Sequence, residues 1–158
     1  MKRGTVFMLI IIAPILAAVF FALNRDKTEN AAVEIGGVTI AAEIARTPRE
    51  RAKGLSGREG LAQDEGMLFI FSNPALYDFW MKDMKFPIDI IWINNGKIVY
   101  IAENAKPPAP NTLDNELTVY HPTELASYVF EVQSAFVEQH GIKVGDDVKL
   151  IGNIFESF

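Results

Sequence analysis

Gly66-Met67-Leu68-Phe69-Ile70-Phe71 opens the stretch of the chain that decides its fold. Two further apolar segments follow, Phe79-Trp80-Met81-Lys82 and Pro87-Ile88-Asp89-Ile90-Ile91-Trp92-Ile93. Turn-forming residues separate these runs, with Asn73-Pro74 after the first and Asn95-Gly96 after the last. Apolar runs of this kind, rich in β-branched and aromatic residues and bounded by turn residues, are typical of buried strands. The stretch therefore predicts the centre of a β-rich hydrophobic core.

Shorter patterns on both sides extend this prediction. The alternation from Val33 to Ile44 around Gly36-Gly37 predicts a β-hairpin. Thr47-Pro48-Arg49-Glu50 predicts the start of a short helix, because it combines a capping residue, a proline at the first helical position and a capping-box glutamate. Further strands are expected at 97–103, 126–133 and 148–151, helical turns at 134–140, and a long surface loop, a candidate lid or binding loop, at 106–118. The pattern predicts a mainly β domain, a compact antiparallel barrel or sandwich with one or two short helices, preceded by one transmembrane helix.

The N-terminal segment has the composition of a membrane anchor. Residues 5–23 carry no charge, and a helix of that length spans roughly 30 Å, the thickness of a bilayer core. Lys2 and Arg3 precede it, which favours a cytoplasmic N-terminus. The apolar run exceeds the roughly 7–15 residues of a cleaved signal peptide, so we expect an uncleaved signal anchor, although the sequence leaves cleavage open. The predicted location is the inner or plasma membrane, single-pass, with the domain on the periplasmic or extracellular side.

These patterns divide the chain into four parts. They are a signal anchor at 1–23, a polar tether at 24–31, a β-rich domain at 32–152 and a loose tail at 153–158. The 158-residue chain has a net charge of −5, to which Lys2 and Arg3 contribute +2, so residues 24–158 carry −7. Such an acidic domain argues against nucleic-acid binding, which needs a basic surface. Cysteine is absent, which excludes disulfides and thiolate chemistry.

Five motifs in order resemble one known family. They are Arg46-Thr47-Pro48-Arg49-Glu50-Arg51-Ala52-Lys53-Gly54-Leu55, Asp64-Glu65-Gly66-Met67-Leu68-Phe69-Ile70-Phe71, Phe79-Trp80-Met81-Lys82 with Pro87-Ile88-Asp89-Ile90-Ile91, Phe130-Glu131-Val132, and Gly141-Ile142-Lys143-Val144-Gly145-Asp146. Over about residues 33–151 the chain resembles the prokaryotic domain-of-unknown-function family 192. The resemblance implies a small, mostly β domain, often exported or membrane-anchored, with no established activity, substrate or cofactor. The chain departs from the family at Ala135-Phe136, where a glycine is usual after the Glu131 strand.

The first candidate site is a basic cluster. Five of the 15 lysines and arginines lie within thirteen positions, and only Glu50 opposes them; they are Arg46, Arg49, Arg51, Lys53 and Arg58. Arginine binds carboxylates and phosphates with bidentate geometry, so this face is a candidate for anion binding. The alternative is a solvated helix face with local salt bridges, or one lying near anionic lipid head groups.

Two carboxylates form the second candidate. Asp89 lies in an apolar strand, so we expect it to be buried and bonded to Lys82, to an arginine of the short helix or to loop N–H groups. Glu131 lies on a later strand, and its simplest interpretation is a solvent-exposed side chain. An acid/base pair for glycoside hydrolysis is the alternative, and it requires the two carboxyls to share an open cleft.

The third candidate is Phe79-Trp80-Met81-Lys82-Asp83-Met84, because exposed aromatic side chains beside polar groups bind sugars or stack on ligands. Met67, Met81 and Met84 offer thioether ligands to Cu(I), or they simply pack in the core. His121 and His140 have no metal-ligand spacing, and the sequence contains no phosphate loop, nucleophile elbow or zinc motif. No metal, cofactor or catalytic residue is therefore predicted.

The leading hypothesis is a non-enzymatic binding or accessory module for a small anionic or polar ligand, or for a protein partner. Its site is predicted as a shallow cleft between the basic helix and the central strands. The alternatives are an enzyme acting on cell-envelope glycans through Asp89 and Glu131, and methionine-based copper handling. The predicted ligand-binding residues are Arg49, Arg51, Trp80, Met81, Lys82, Asp89 and Glu131.

Overall fold

The computed structural model describes residues 31–152 and Ile154, so the predicted anchor at 1–23 and nearly all of the tether lie outside the described residues. Among the residues that it describes, no helix is both long and apolar enough to cross a membrane. The described elements are β1 (Ala31–Ile35), β2 (Val38–Ala45), α1 (Pro48–Lys53), β3 (Glu65–Ala75), β4 (Phe79–Trp80), β5 (Ile88–Asn94), β6 (Lys97–Ala105), a 3-10 helix (Asp114–Glu116), β7 (Val119–Tyr120), β8 (Ala126–Gln133), α2 (Phe136–His140) and β9 (Val148–Ile151).

Seven strands form one sheet in the order β6-β5-β8-β3-β2-β1-β9, and β4 pairs with β7 in a separate two-stranded ribbon. The strand pairs are antiparallel except β2 with β3, which run parallel and are joined through α1. A bridge between Lys97 and Asp147 links the start of β6 to the residues before β9. The Ile98 N–H donates to the Asp146 carbonyl at 3.0 Å beside it. The sheet therefore curls until the start of β6 meets the residues before β9, which confirms a mainly β, barrel-like domain with two short helices.

The local patterns explain where the elements begin and end. Gly36 and Gly37 have φ angles of 58° and 79°, which glycine adopts without strain, and they form the two-residue turn of the β1–β2 hairpin. Thr47 caps α1: its side chain accepts from the Glu50 N–H at 3.2 Å, and the Glu50 carboxylate accepts from the Thr47 N–H at 2.7 Å. The hairpin and the capping box are both as predicted from the sequence.

The alternation of side chains along the strands divides the buried residues into two cores. The inner core lies on the face that β1, β2, β3, β5, β8 and β9 share, and α2 packs against it. The outer core lies on the opposite face of β3, β5 and β8, where it packs against the segment after α1 and residues beside β4 and β7. Strand β5 contributes to both, with Ile91 in the inner core and Trp92 in the outer core.

Two sequence predictions are corrected here. Asn73-Pro74 does not end the first central strand, because β3 continues to Ala75, with a register shift against β8 between Ile70 and Ala75. The predicted tail is not loose at Ile154, which is 2% exposed and packs in the inner core. The Arg46 side chain fixes this position by donating to the Ile154 carbonyl at 2.7 Å.

Candidate ligand-binding cleft

A cleft of about 250 Å³ lies between α1 and the segment that leads into β4. Helix α1 and the residues after it form one wall, and the segment from Tyr77 to Trp80 forms the other. The outer-core face of β3 and β8 lies between the two walls. The lining residues are Arg51, Ala52, Lys53, Gly54, Leu55, Ser56, Phe69, Phe71, Tyr77, Asp78, Phe79, Trp80, Met84 and Glu131. The composition of this lining is mainly aromatic and aliphatic.

Arg51 is held in place on the helical wall. Its Nη1 donates to the backbone carbonyls of Arg46 and of Ile70, the latter at 3.2 Å. Its guanidinium carbon lies 5.0 Å from the centre of the Phe71 ring, within cation–π range. The side chain therefore connects α1 to β3, and its charge is fixed at the edge of the cleft.

The opposite wall is built from stacked rings. Phe71 and Tyr77 stack with their ring centres 3.5 Å apart, and the Tyr77 hydroxyl donates to the Asn73 carbonyl at 2.6 Å. Phe79 meets Phe69 edge to face at 4.9 Å. Trp80 lies outside this packing and is 56% exposed, although it is one of the largest apolar side chains of the chain. An exposed tryptophan beside a concave surface is a feature of binding sites.

Glu131 is the buried acid of the cleft. It lies on β8, opposite Met67 of β3 and Ile90 of β5, so apolar strands flank it on both sides. The residue is 5% exposed, and its Oε2 is buried without a hydrogen-bond partner. Burial raises the pKa of Glu131 to about 8, against a smaller opposing effect of the Arg58 charge. At neutral pH the side chain is therefore mostly a neutral carboxylic acid.

The other charged groups near Glu131 are mostly paired. Arg58 forms a two-point ion pair with Glu43, with N–O distances of 2.6 and 2.7 Å. This pair lowers the pKa of Glu43 through its hydrogen bonds and raises that of Arg58. Asp78 lies at the cleft edge and forms no hydrogen bond with Glu131. Its Oδ1 lies 2.8 Å from Nδ1 of His121. The described charges therefore leave the Glu131 carboxyl without a direct ionic partner.

The structure brings three of the seven predicted binding residues to this cleft, namely Arg51, Trp80 and Glu131. Arg49 is exposed and does not line it. Met81 is 2% exposed and packs in the outer core. Lys82 forms a surface ion pair with Asp114, and it is likewise absent from the lining.

Asp89 lies on the other face of the sheet, so its prediction as a ligand-binding residue of the cleft is wrong. It is 1% exposed. Its carboxylate accepts from the Asn104 N–H at 2.8 Å and from the Val137 N–H at 2.9 Å. Neither Lys82 nor an arginine of α1 is its partner, and the alternative of a carboxylate bonded to backbone N–H groups holds, although these groups belong to β6 and α2 and not to loops. The bonds join β5 to β6 and to α2, so Asp89 has a structural role.

The same geometry removes the two alternative functions. The predicted acid/base pair of Asp89 and Glu131 does not share a cleft, because strand alternation points the two side chains to opposite faces. Met67, Met81 and Met84 are 5%, 2% and 8% exposed and belong to the outer core. Among the described residues they therefore form no accessible copper site, and their interpretation as core residues is confirmed.

Sequence reasoning missed two features of the site. It treated Glu131 as solvent-exposed, whereas β8 has a strand on each side and the outer core lies over it. It also left out Phe71, Tyr77 and Asp78, which the register shift in β3 and the following turn bring to the cleft. The signal for burial was the apolar sequence on both sides of the acid, Val129-Phe130 and Val132.

The family model of DUF192, described as "Uncharacterized ACR", matches residues 31–150. Because this match covers most of the chain, the chain belongs to the DUF192 family. The resemblance found in the motifs is therefore confirmed. A search of curated proteins gave no significant match.

Two solved structures are similar to this one. A protein from Sinorhizobium meliloti 1021, provisionally named a transcription regulator, is 29% identical with a TM-score of 0.66, and the match covers 77% of this chain and 92% of that one. A protein of unknown function from Novosphingobium aromaticivorans DSM 12444 is 32% identical with a TM-score of 0.66, and the match covers 76% of this chain and 83% of that one. These similarities support the fold and the family.

Proposed function

We propose that this DUF192 domain is a non-enzymatic binding or accessory module, and that the cleft beside α1 takes a small ligand or one side chain of a protein partner. The observation that carries this proposal is Glu131, a buried carboxyl with an unpartnered oxygen in an aromatic cleft. Buried polar groups in folded proteins are nearly always hydrogen-bonded, so an unpaired one at a concave surface points to a partner that binds there.

The hydroxyl groups of the cleft support binding rather than nucleophilic chemistry. Ser56 donates its Oγ hydrogen to the Lys82 carbonyl at 2.8 Å, and Tyr77 donates to the Asn73 carbonyl. Both hydroxyls thus hold loops together, and neither lies beside a histidine base in the lining. The mixture of apolar walls and a few polar groups is typical of recognition sites.

The size of the cleft limits what it takes. Its volume of about 250 Å³ is below the roughly 300–1,000 Å³ of sites for drug-sized ligands. We therefore expect a single ring or a branched chain with one polar group, either as a free molecule or as a side chain. The net charge of −7 on residues 24–158 supports the expectation that nucleic acid is not the partner.

A ligand screen by thermal shift tests this function. The full chain, kept in mild detergent, is heated with organic anions, amines, nucleotides, envelope oligosaccharides and metals, because a bound ligand raises the melting temperature by mass action. A specific hit is expected to disappear in Trp80→Ala and to persist in Leu113→Ala, a matched control at a 61% exposed residue outside the cleft. Hits that are equally strong in both variants would place binding elsewhere, and a screen without any hit would count against a small ligand.

The proposed setting of the module is the outer side of a membrane, to which residues 1–23 anchor it. The uncharged run from 5 to 23 and the preceding Lys2 and Arg3 support this proposal. Membranes from cells that express the chain are washed with alkaline carbonate, and intact spheroplasts are treated with protease. The proposal expects the chain to stay in the membrane and its domain to be digested from outside. Release by carbonate, or protection of the domain until lysis, would contradict it.

A further inference from the structure

We infer that the cleft selects a carboxylic acid with an aromatic or branched apolar body, and that it holds the carboxylate between the Glu131 carboxyl and the cationic edge formed by Arg51 and Lys53. The inference rests on the proposed binding function and names the ligand class of that site.

The edge of the cleft on the α1 side is positive. Arg51 is fixed by its two backbone bonds and by the Phe71 ring. Lys53 is exposed, lines the cleft and makes no salt bridge among the described residues. Both cations belong to the last turn of α1, and both line the cleft. A ligand anion that enters between the walls therefore meets two positive groups.

Of the two acids that line the cleft, Glu131 is the one placed to bind an anion. Asp78 belongs to the wall opposite Arg51 and Lys53, and its Oδ1 lies 2.8 Å from Nδ1 of His121. Glu131 faces uncharged Met67 and Ile90 across its two strand pairs. Arg58, whose charge acts on Glu131, is paired with Glu43 and also interacts with Glu65. A protonated Glu131 is able to donate a hydrogen bond to a carboxylate oxygen, which supplies the partner that Oε2 lacks.

An ammonium ligand fits the same cleft less well. It requires an ionised Glu131, and burial among apolar strands disfavours that state. It also has to approach past Arg51 and Lys53, which repel it. The aromatic walls accept either ligand, so the charges decide between them. This comparison favours the carboxylate.

The decisive experiment uses three ligands that share one body: 3-phenylpropionate, 3-phenylpropylamine and 3-phenylpropanol. Binding to the full chain in detergent is measured by calorimetry and thermal shift at pH 6.5 and pH 9. We expect the carboxylate to bind at least 10-fold more tightly than the other two at pH 6.5. We expect its affinity to fall about 10-fold by pH 9, because roughly a tenth of Glu131 then remains protonated around a pKa of about 8.

Substitutions separate the effect of pH on this site from its effect on the rest of the protein. Glu131→Gln keeps a neutral hydrogen-bond donor, so it should retain carboxylate binding within a few-fold and lose the pH dependence. Lys53→Met should weaken the carboxylate several-fold and leave the alcohol unchanged. Glu138→Gln, an exposed glutamate on α2 outside the cleft, is the matched control and should behave as wild type.

Each remaining outcome is decisive as well. Tighter binding of the amine, increasing with pH, overturns the carboxylate assignment and leaves the proposed binding function standing. The carboxylate assignment is also overturned if none of the three compounds binds at millimolar concentration. In that case, a ligand of another class that binds in the wider screen and depends on Trp80 would preserve the proposed binding function. If that screen is empty too, both proposals fail. A pH dependence that persists in Glu131→Gln removes Glu131 from the site.

Discussion

Asp89 and Glu131 lie on neighbouring strands, one residue apart in register, and their side chains point to opposite faces of one sheet. Val132 stands opposite Asp89 and Ile90 stands opposite Glu131. On the inner side Asp89 accepts two backbone N–H bonds, whereas on the outer side Glu131 has an unpartnered oxygen in a cleft. The two acidic residues therefore differ in role: Asp89 is structural on the inner face, and Glu131 is a candidate binding residue on the outer face.

Removal of the Asp89 carboxylate is expected to destabilise the fold strongly. Asp89→Ala leaves the N–H groups of Asn104 and Val137 without their acceptor in a buried place, which we expect to cost about 3 kcal/mol of unfolding free energy. Urea unfolding of the full chain measures this loss. Asp64→Ala, at an exposed residue, is the control and should change stability by about 0.5 kcal/mol or less. Equal stability of the two variants would show that the Asp89 bonds are not needed.

Glu131 is expected to make stability fall as pH rises. Its pKa is about 8 in the folded protein, against an ordinary value of 4.5. Between pH 4.5 and about pH 8 the folded state therefore binds more protons than the unfolded state. Its contribution is fully present below pH 4.5 and is lost progressively up to about pH 8. The loss is at most about 5 kcal/mol.

The difference between wild type and Glu131→Gln isolates this effect. Both proteins share Glu43 and Glu50, whose lowered pKa values act in the opposite direction, so those contributions cancel. The unfolding free energy of both proteins is measured at pH 5, 6, 7, 8 and 9. Relative to wild type, Glu131→Gln should become more stable as the pH rises to about 8 and gain no more above it. A constant difference across this range would mean that Glu131 ionises in the fold as it does in the unfolded chain.

The sequence was sufficient for local structure and insufficient for the site. The turn at Gly36-Gly37 and the cap at Thr47 depend on neighbouring residues, so their chemistry could be interpreted directly. The burial of Glu131 depends on which strands lie beside β8, and those pairings join residues far apart in sequence. The partners of Asp89 are backbone N–H groups, which no side-chain pattern identifies.

Gly66 is expected to tolerate no side chain. A Cβ at this position would lie 2.5 Å from Cε2 of Phe130 and 2.9 Å from the Glu131 carbonyl oxygen. Gly66→Ala should therefore cost about 1–3 kcal/mol, because the Phe130 ring and β8 have to move. Gly60→Ala meets no atom within 4 Å and should be neutral or slightly stabilising. Chemical unfolding measures the stability of both variants. If Gly66→Ala does not change the unfolding free energy, the inner core adapts more freely than this packing indicates.

Ala135 is a position where glycine is expected to improve the protein. Its φ of 69° is left-handed, which costs an alanine roughly 1–2 kcal/mol, and it stands where the sequence resemblance predicts a family glycine. Its carbonyl accepts from the Gln139 N–H at 2.9 Å, so the start of α2 keeps this residue in the strained conformation. Ala135→Gly should raise the unfolding free energy by up to about 1 kcal/mol, net of the greater chain entropy of glycine.

The opposite sign is expected for the same substitution in a regular helix. Ala52→Gly, at an exposed position in α1, should lower stability by about 1 kcal/mol. Parallel unfolding curves of the two variants therefore separate backbone strain from the general effect of glycine. If both variants lose stability alike, the left-handed conformation at Ala135 carries no measurable strain, and the loop before α2 gains nothing from glycine.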